Sequence, residues 1–259
     1  FKITRNPAEL VRIKSAFEYY RQWHRDNRNP AFIPWHTQAY YIVWKITKDE
    51  ALKGFIFEMN DWLLSFQQWL SAEFPDMRGR FYDPKRIQFG PPHASSTGVY
   101  LEGLIDAYDL AKQVKDKPRI EKYRIAIVRG MRSIMQLQYK SEKDCFYINK
   151  TSRVLGGVRT TVYDNTIRID NVQHALMAFL KIYNRFSKDD YLLKGVVSGI
   201  TRKNGVWPEY KHFKKIEHAI PVNEFRAELK LNNLAWGLET SRQRNVKVQR
   251  HTKSIFLRG

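Results

Sequence analysis

The amino-acid sequence predicts a mainly α-helical fold built from pairs of helices, and three observations point to it. Apolar residues recur at helical spacing along most of the first 190 residues. Short polar breaks, several with proline or with acidic and basic side chains, separate these periodic stretches. Polar helix starts with a nearby histidine recur at Trp35, Thr97 and Asp170. Helix pairs at a recurring period indicate an α-hairpin array that buries a shared core.

Five helices are predicted before residue 140, and each presents an apolar stripe on one side. They are Pro7–Arg25, Trp35–Thr47, Leu52–Leu70, Val99–Lys115 and Pro118–Tyr139. Pro34 suits the first turn of the second helix, because its missing N–H has no helical partner there. The segment Pro75–Pro92 is predicted as a long loop, and loops of this length in compact domains are usually functional.

A sixth helix is predicted to begin at Asp170. Asp170 is a good N-cap, and Gln173 follows at the spacing of a capping box. Two short β-type runs precede this helix, Cys145–Ile148 and Val158–Tyr163, the second after a Gly-Gly turn. We therefore expect short β pieces beside the helical array.

The character of the sequence changes from about residue 190. We predict a helical domain over residues 1–189 and a C-terminal extension over residues 190–259, packed on the same domain. The extension contains one predicted helix, Val222–Glu239, followed by a basic tail, Arg242–Gly259. The tail is predicted either to dock as an extended strand or to stay mobile.

The composition is that of a globular protein that favours an anionic partner. Hydrophobic residues make up 43% of the 259 residues, and the formal net charge is +19. A charge of this sign favours nucleic acid, an acidic polysaccharide or a lipid surface, although a solvated basic surface explains it equally well. No apolar run approaches the roughly 20 residues of a membrane span.

Cysteine usage and the chain start bear on the compartment. The single cysteine, Cys145, excludes an internal disulfide and mildly favours a reducing compartment, without excluding a periplasm or a cell surface. Because the chain starts at Phe1 with no signal-like segment, we expect an excised domain or a processed product. Any targeting segment is then expected outside it, so the localisation is left open.

A resemblance to a known family rests on two features. The helix pairs with polar inner-helix starts resemble the α/α-toroid, or six-hairpin, carbohydrate-active proteins. The segment Arg129–Ile134 followed by Asp144–Tyr147 is similar to the helix-then-β-turn segment of uronyl C5-epimerase toroid domains. The resemblance covers Pro7–Phe186 and implies a partial or open toroid with short β-hairpin elements, because the chain is too short for six complete hairpins. It implies a sugar-binding groove at the inner-helix ends and transfers no catalytic residue.

Three carboxylates lie at helical spacing on one predicted helix: Glu102, Asp106 and Asp109. Glycoside hydrolysis needs two carboxylates separated by roughly 5–9.5 Å across the scissile bond, and neighbours one turn apart can meet that distance. The simpler alternative, which we favour at this point, is a solvated helix face.

A second group of candidates surrounds the start of the sixth helix. His174 is a candidate for proton transfer because its ordinary pKa lies near neutrality, and Asp170 or Glu102 is its candidate carboxylate partner. Arg159 and Arg168 are candidate clamps for a substrate carboxylate. The other candidates are Tyr163 as an alternative acid or base and Asp164 as a substrate-binding residue. The simpler alternatives are a core histidine for His174 and a helix cap for Asp170.

Asp106 of the carboxylate stripe and three further residues are candidates for substrate binding. His36 and His93 lie at helix starts, as His174 does, and Trp35 is a candidate platform for stacking a sugar ring. No HExxH or other short metal-binding spacing occurs, so we expect neither a metal nor a cofactor. These residues together favour action on an acidic, uronate-containing polysaccharide or glycan by hydrolysis, elimination or epimerisation. The competing hypothesis is a non-catalytic binding or scaffold domain that recognises an anionic glycan, nucleic acid or protein.

Overall fold

The computed structural model describes residues 6–90 and 92–196, and these residues form six α-helices joined by turns and short 3-10 segments. The helices are α1 (Pro7–Asp26), α2 (Ile33–Thr47), α3 (Glu50–Leu63), α4 (Ala94–Gln113), α5 (Lys117–Leu137) and α6 (Ile169–Arg185). The mainly α-helical class predicted from the sequence is therefore confirmed. None of these six helices combines the length and the apolar character needed to cross a bilayer.

The chain divides into two compact units, Phe1–Ala219 and Ile220–Gly259, and every described residue belongs to the first. The predicted helix Val222–Glu239 and the basic tail Arg242–Gly259 lie outside the described residues. The proposed boundary after residue 189 stays a prediction.

Local capping explains where most helices begin. The side chain of Asn6 caps α1 by accepting from the Ala8 N–H at 3.0 Å. Asp116 caps α5 by accepting from the Arg119 N–H at 3.1 Å. α4 begins at Ala94, five residues before the predicted start, because His93 forms a capping box with Ser96.

Two predicted elements differ in the structure. α3 ends at Leu63 rather than Leu70, and Leu70 is exposed beyond a 3-10 turn. Cys145–Ile148 forms a turn rather than a strand, because the Asp144 carboxylate accepts from two preceding backbone N–H groups and closes the chain locally. In place of the second β-type run, the described residues contain isolated bridges, Gln138 to Val158 and Arg159 to Ile167.

α4 is the central helix, and it contacts α2, α3, α5 and α6. Small residues let its neighbours approach closely. A Cβ at Gly103 would lie 2.5 Å from the Pro34 Cα of α2, and one at Gly98 would lie 2.8 Å from the His174 carbonyl carbon of α6. On the α5 side the close approach is made by Gly130, which packs against Leu101. Most residues of α4 are consequently buried.

The even-numbered helices run in the same direction. Along α4, Gly98 faces His174 and Asp106 faces Lys181, so the α4 and α6 sequences advance together. Likewise Gly103 of α4 lies against Pro34, near the start of α2. One to two turns farther along both helices, Asp109 of α4 accepts a hydrogen bond from Tyr41 of α2, so these two helices also run in the same direction. The N-terminal ends of α4 and α6 therefore lie level with each other, whereas α2 begins opposite Gly103, about halfway along α4.

Candidate functional site

The central feature of the candidate site is a buried carboxylate–imidazole pair between α4 and α6. His174 Nδ1 lies 2.7 Å from Glu102 Oε1, and the Glu102 residue is only 4% exposed. The half-exposed Trp35 ring, at the start of α2, stands edge-on to the imidazole with ring centroids 5.9 Å apart. Because Nδ1 is engaged by the carboxylate, the neutral imidazole donates there and keeps the Nε2 lone pair free to accept a proton.

A second ion pair lies farther along the same two helices. The Lys181 ammonium donates to Asp106 Oδ2 at 2.6 Å, to the Glu102 carbonyl oxygen at 2.6 Å and to Gln38 Oε1 at 3.0 Å. Arg185 also donates to Asp106. Burial lowers the pKa of Lys181, and the neighbouring Asp106 partly offsets this effect. Asp106 is therefore held by two cations and does not face an open space.

The third carboxylate of the predicted stripe also has a protein partner. The Tyr41 hydroxyl donates to Asp109, and the Gln113 amide donates to the Tyr41 oxygen at 2.5 Å. Glu102 and Asp106 are buried, so the expectation of a solvated helix face was wrong. The reason is that α2 and α6 both pack against α4 and cover the side that carries these carboxylates.

Asp170 lies in the first turn of α6, and the predicted N-cap role for it was wrong. The N-cap position is occupied by Arg168, whose guanidinium donates two bonds of 2.9 Å to the Asp170 carboxylate. Partial burial raises the pKa of Asp170, but hydrogen bonds from Ser95 and Arg168 outweigh it and bring the pKa below its ordinary value. Burial, together with the nearby Arg168 charge, lowers the pKa of His93.

The remaining predicted residues lie in other surroundings. The His36 ring stacks on Tyr20 with centroids 3.4 Å apart, inside an aromatic cluster of α1 and α2. Arg159 donates to Asn165 Oδ1 at 3.4 Å. Tyr163 is largely exposed and accepts a hydrogen bond from Arg80.

Asp164 accepts from the Thr166 N–H at 2.9 Å and stabilises a local turn. The structure thus brings together Glu102, His174 and Trp35, with Asp170 one helical turn from His174. It places His36 and Arg159 apart from this group.

The sequence did not predict which cations pair with the buried carboxylate Asp106 of α4, namely Lys181 and Arg185. Lys181 and Arg185 follow His174 by seven and eleven residues, so the three side chains share one face of α6. This cationic face matches the acidic face of α4 at residues 102, 106 and 109. The matching periodicity was the available signal, although it does not reveal which two helices meet.

The arrangement can hold a histidine in one tautomer beside an aromatic side chain, which is suited to proton transfer at a bound ligand. Within residues 6–90 and 92–196, no group of three or more His, Cys, Asp or Glu side chains is arranged to hold a metal ion. Comparison of the chain with family models, curated proteins and solved structures finds no match.

Proposed function

We propose that this chain is a carbohydrate-active domain that acts on an acidic, uronate-containing polysaccharide or glycan. The observation that carries the proposal is the buried Glu102–His174 pair beside the half-exposed Trp35 ring. An aromatic ring that borders a proton-transfer group is suited to hold the apolar face of a sugar against it. The net charge of +19 favours an anionic substrate.

We also propose that the described helices are part of an open α/α-hairpin toroid. Three features support this arrangement: α2, α4 and α6 run in the same direction, they contact one another in order, and α3 and α5 pack against them. In such an array the substrate groove lies at the common N-terminal end of the inner helices. His93 and Asp170 belong to that end, and Trp35 meets His174 farther along the helices.

Among the three reactions left open by the sequence, the geometry favours those that begin with proton abstraction. Hydrolysis requires two carboxylates directed at the glycosidic bond, whereas Asp106 and Asp109 are already held by Lys181, Arg185 and Tyr41. A histidine that keeps Nε2 free is instead suited to remove the C5 proton of a uronate.

The proposed reaction begins at the C5 proton of the uronate. His174 Nε2 takes the C5 proton, and the electron pair moves into the uronate carboxylate, whose charge Arg168 would offset after exchanging Asp170 for the substrate. In elimination this pair then forms the C4–C5 double bond and expels the C4 oxygen, which takes a proton from the His174 imidazolium or from water. In epimerisation water on the opposite face supplies a proton to C5, and the His174 imidazolium releases its proton to solvent. Glu102 stabilises the imidazolium formed in either case.

The alternative is a non-catalytic domain that binds an anionic partner. One observation favours it: Arg168, the cation nearest the pair in sequence, is already engaged by Asp170. A bound polyanion would then contact exposed Lys and Arg side chains without turnover.

The test is a turnover screen of the full chain on polymers of glucuronate, mannuronate and galacturonate, with a neutral glucan as reference. Ultraviolet absorbance detects the unsaturated product of elimination, deuterium incorporation at C5 in D₂O detects epimerisation, and new reducing ends without absorbance detect hydrolysis. His174→Ala is expected to abolish turnover, and Glu102→Gln to reduce it about 10²-fold or more.

His36→Gln serves as the matched control, because this histidine also lies at a helix start but away from the pair, and we expect it to retain turnover. Equal turnover in His174→Ala and the parent chain would refute the role of His174. Saturable polyuronate binding without any turnover would favour the binding domain.

A further inference from the structure

A second cleft lies on the other flank of α4. It is a small cavity of about 20 Å³ that opens to solvent, between the segment after α3, the start of α4, α5 and the segment before α6. Along α4, Gly98 faces α6, whereas Leu101 faces Gly130 of α5. Thr97 lines the cleft one helical turn before Leu101 and so lies on the α5 flank. The cleft is therefore distinct from the Glu102–His174 pair.

The polar groups of the cleft are mainly hydrogen-bond donors. His93 Nδ1 accepts from the Ser96 N–H at 3.0 Å, which leaves the proton of the neutral imidazole on Nε2. Thr161 Oγ1 already accepts from the Asp164 N–H at 2.9 Å, so its own hydrogen is free to donate. The hydroxyls of Thr97 and Ser133 make no hydrogen bond among the described residues and can also donate.

The cleft also contains a guanidinium with little anionic compensation. Arg80 is oriented by its Nε–H, which donates to Gln68 Oε1 at 2.7 Å, and by a hydrogen bond that it donates to Tyr163, a neutral partner. Burial lowers the pKa of Arg80, so this cation has lost part of its hydration. Asp76 is the carboxylate that lines the cleft, and it is exposed. Nearby, Arg78 has a buried Nε with no hydrogen-bond partner among the described residues.

Gly79 fixes the backbone between these two arginines. Its φ is +95°, a conformation that other residues rarely adopt. A Cβ at this position would overlap the carbonyl oxygen of Arg129, so the segment lies directly against α5. Arg78 and Arg80 are thus held on either side of a close backbone contact rather than on a free loop.

The N-terminus of α4 does not itself supply donors to the cleft. Its first-turn N–H groups are already bonded: Ala94 donates to the Thr160 carbonyl at 2.9 Å and Ser95 to Asn171 Oδ1 at 3.3 Å. Ser96 donates to His93 Nδ1 and Thr97 to the His93 carbonyl. An occupant of the cleft would consequently be held by side chains.

We propose that this cleft is a binding site for an oxyanion, held by Arg80, the Nε2–H of His93 and the hydroxyls of Thr97, Ser133 and Thr161. A donor set with one desolvated cation is what a carboxylate, sulfate or phosphate group requires. The cavity volume of about 20 Å³ is far below the roughly 300–1,000 Å³ of pockets for drug-sized ligands, so the cleft suits one small charged group that enters from its open mouth. That group is either a free inorganic ion or the charged substituent of a larger molecule.

The test is calorimetric titration of the full chain with inorganic phosphate, inorganic sulfate, glucuronate and glucose. We expect saturable binding of at least one of the three anions and none of glucose. Arg80→Gln is expected to weaken that binding about tenfold or more, and Ser133→Ala by several-fold, because each removes a donor to the anion. Binding of glucuronate alone that Arg80→Gln weakens would assign the cleft to a sugar carboxylate, and binding of phosphate or sulfate that Arg80→Gln weakens would assign it to a free ion.

Arg153→Gln is the control, because it removes the same charge from an exposed position and should leave the affinity unchanged. Thr97→Val, which nearly conserves volume, replaces Arg80→Gln if that variant does not fold. The proposal is overturned if no anion binds saturably, or if Thr97→Val and Ser133→Ala bind as tightly as the parent chain. Since this experiment measures no turnover, its failure would not bear on the proposed reaction at His174.

Discussion

At the scale of single residues, His24 shows how burial changes the behaviour of an ionisable group. It lies near the end of α1, and both ring nitrogens are buried without a hydrogen-bond partner among the described residues. Its ring packs edge-on against Phe55 and Trp62. Burial lowers the pKa of His24 from 6.5 to about 4, and the charges of Arg28 and His36 contribute to this shift.

This shift predicts a dependence of stability on pH. Because the folded state binds the His24 proton less readily than the unfolded state, the unfolded chain takes up more protons between pH 6.5 and about 4. The stabilisation is complete above pH 6.5 and is lost as the pH falls through this window. We expect the free energy of unfolding, measured in urea, to fall more steeply in the parent chain than in His24→Phe, whose apolar ring fits the aromatic surroundings. Identical slopes for the two proteins would contradict this assignment, since the carboxylates that titrate in the same window are common to both.

The three carboxylates of α4 also show that the surroundings of an ionisable residue decide its role. They share charge, helix and spacing, but Glu102 has a histidine partner, Asp106 has two cations and Asp109 has a tyrosine. Breaking a buried pair by removing one partner is costly because it leaves the other charge uncompensated. Asp106 is thus a structural residue in this arrangement, whereas Glu102 can position an imidazole for chemistry.

At the scale of elements, α4 is held by close approaches at glycine rather than by large side chains alone. Gly98 meets α6, Gly103 meets α2, and Gly130 of α5 meets α4. These contacts set the distance between helices that carry Glu102, His174 and Trp35. The geometry of the candidate site therefore depends on residues that contribute no functional group.

The α2–α4 contact gives a prediction with an internal control. In Gly103→Ala the new methyl group would lie 2.5 Å from the Pro34 Cα, a backbone atom, so the helices must separate. We expect a loss of about 1–3 kcal/mol in the free energy of unfolding, measured in urea. Gly54→Ala in α3 has no neighbour within 4 Å and should instead stabilise by about 0.5–1 kcal/mol. A Gly103→Ala protein as stable as the parent chain would refute the close approach.

At the scale of the whole molecule, the net charge of +19 is spread over both compact units. The second unit, Ile220–Gly259, contains eight Lys or Arg residues against three Asp or Glu residues. Most of the excess positive charge therefore belongs to the first unit, which also contains both proposed sites. Because of this distribution, substitutions in the basic tail can test nucleic-acid binding by the tail separately from glycan binding by the helical unit.

Replacing Arg242, Arg244, Lys247 and Arg250 by glutamine in the full chain tests that separation. If duplex DNA binds through the tail, the slope of log affinity against log salt should become shallower by about 0.9 for each phosphate that the tail no longer neutralises. Polyuronate turnover should not change, because the His174 site lies in the other unit. A fall in turnover in this variant would instead place substrate binding at the tail.

The amino-acid sequence alone determined the helical class and the approximate position of every described helix. Apolar periodicity and caps such as Asn6 and Asp116 act over a few residues, so they can be read locally. The sequence also singled out Glu102, Asp170 and His174 as chemically suggestive. It did not determine their partners, because residues 102 and 174 are far apart along the chain and meet only when α4 packs on α6.

The tertiary structure decided which suggestive residues share a site. It moved the N-cap of α6 from Asp170 to Arg168, stacked the half-buried His36 on Tyr20, and reduced the β-type runs to a turn and isolated bridges. It also placed three hydrogen-bond donors against the acidic face of α4: Lys181, Arg185 and Tyr41. The physical reason is that a buried charge is stable only beside a partner, and the choice of partner depends on which helix faces meet rather than on either helix by itself.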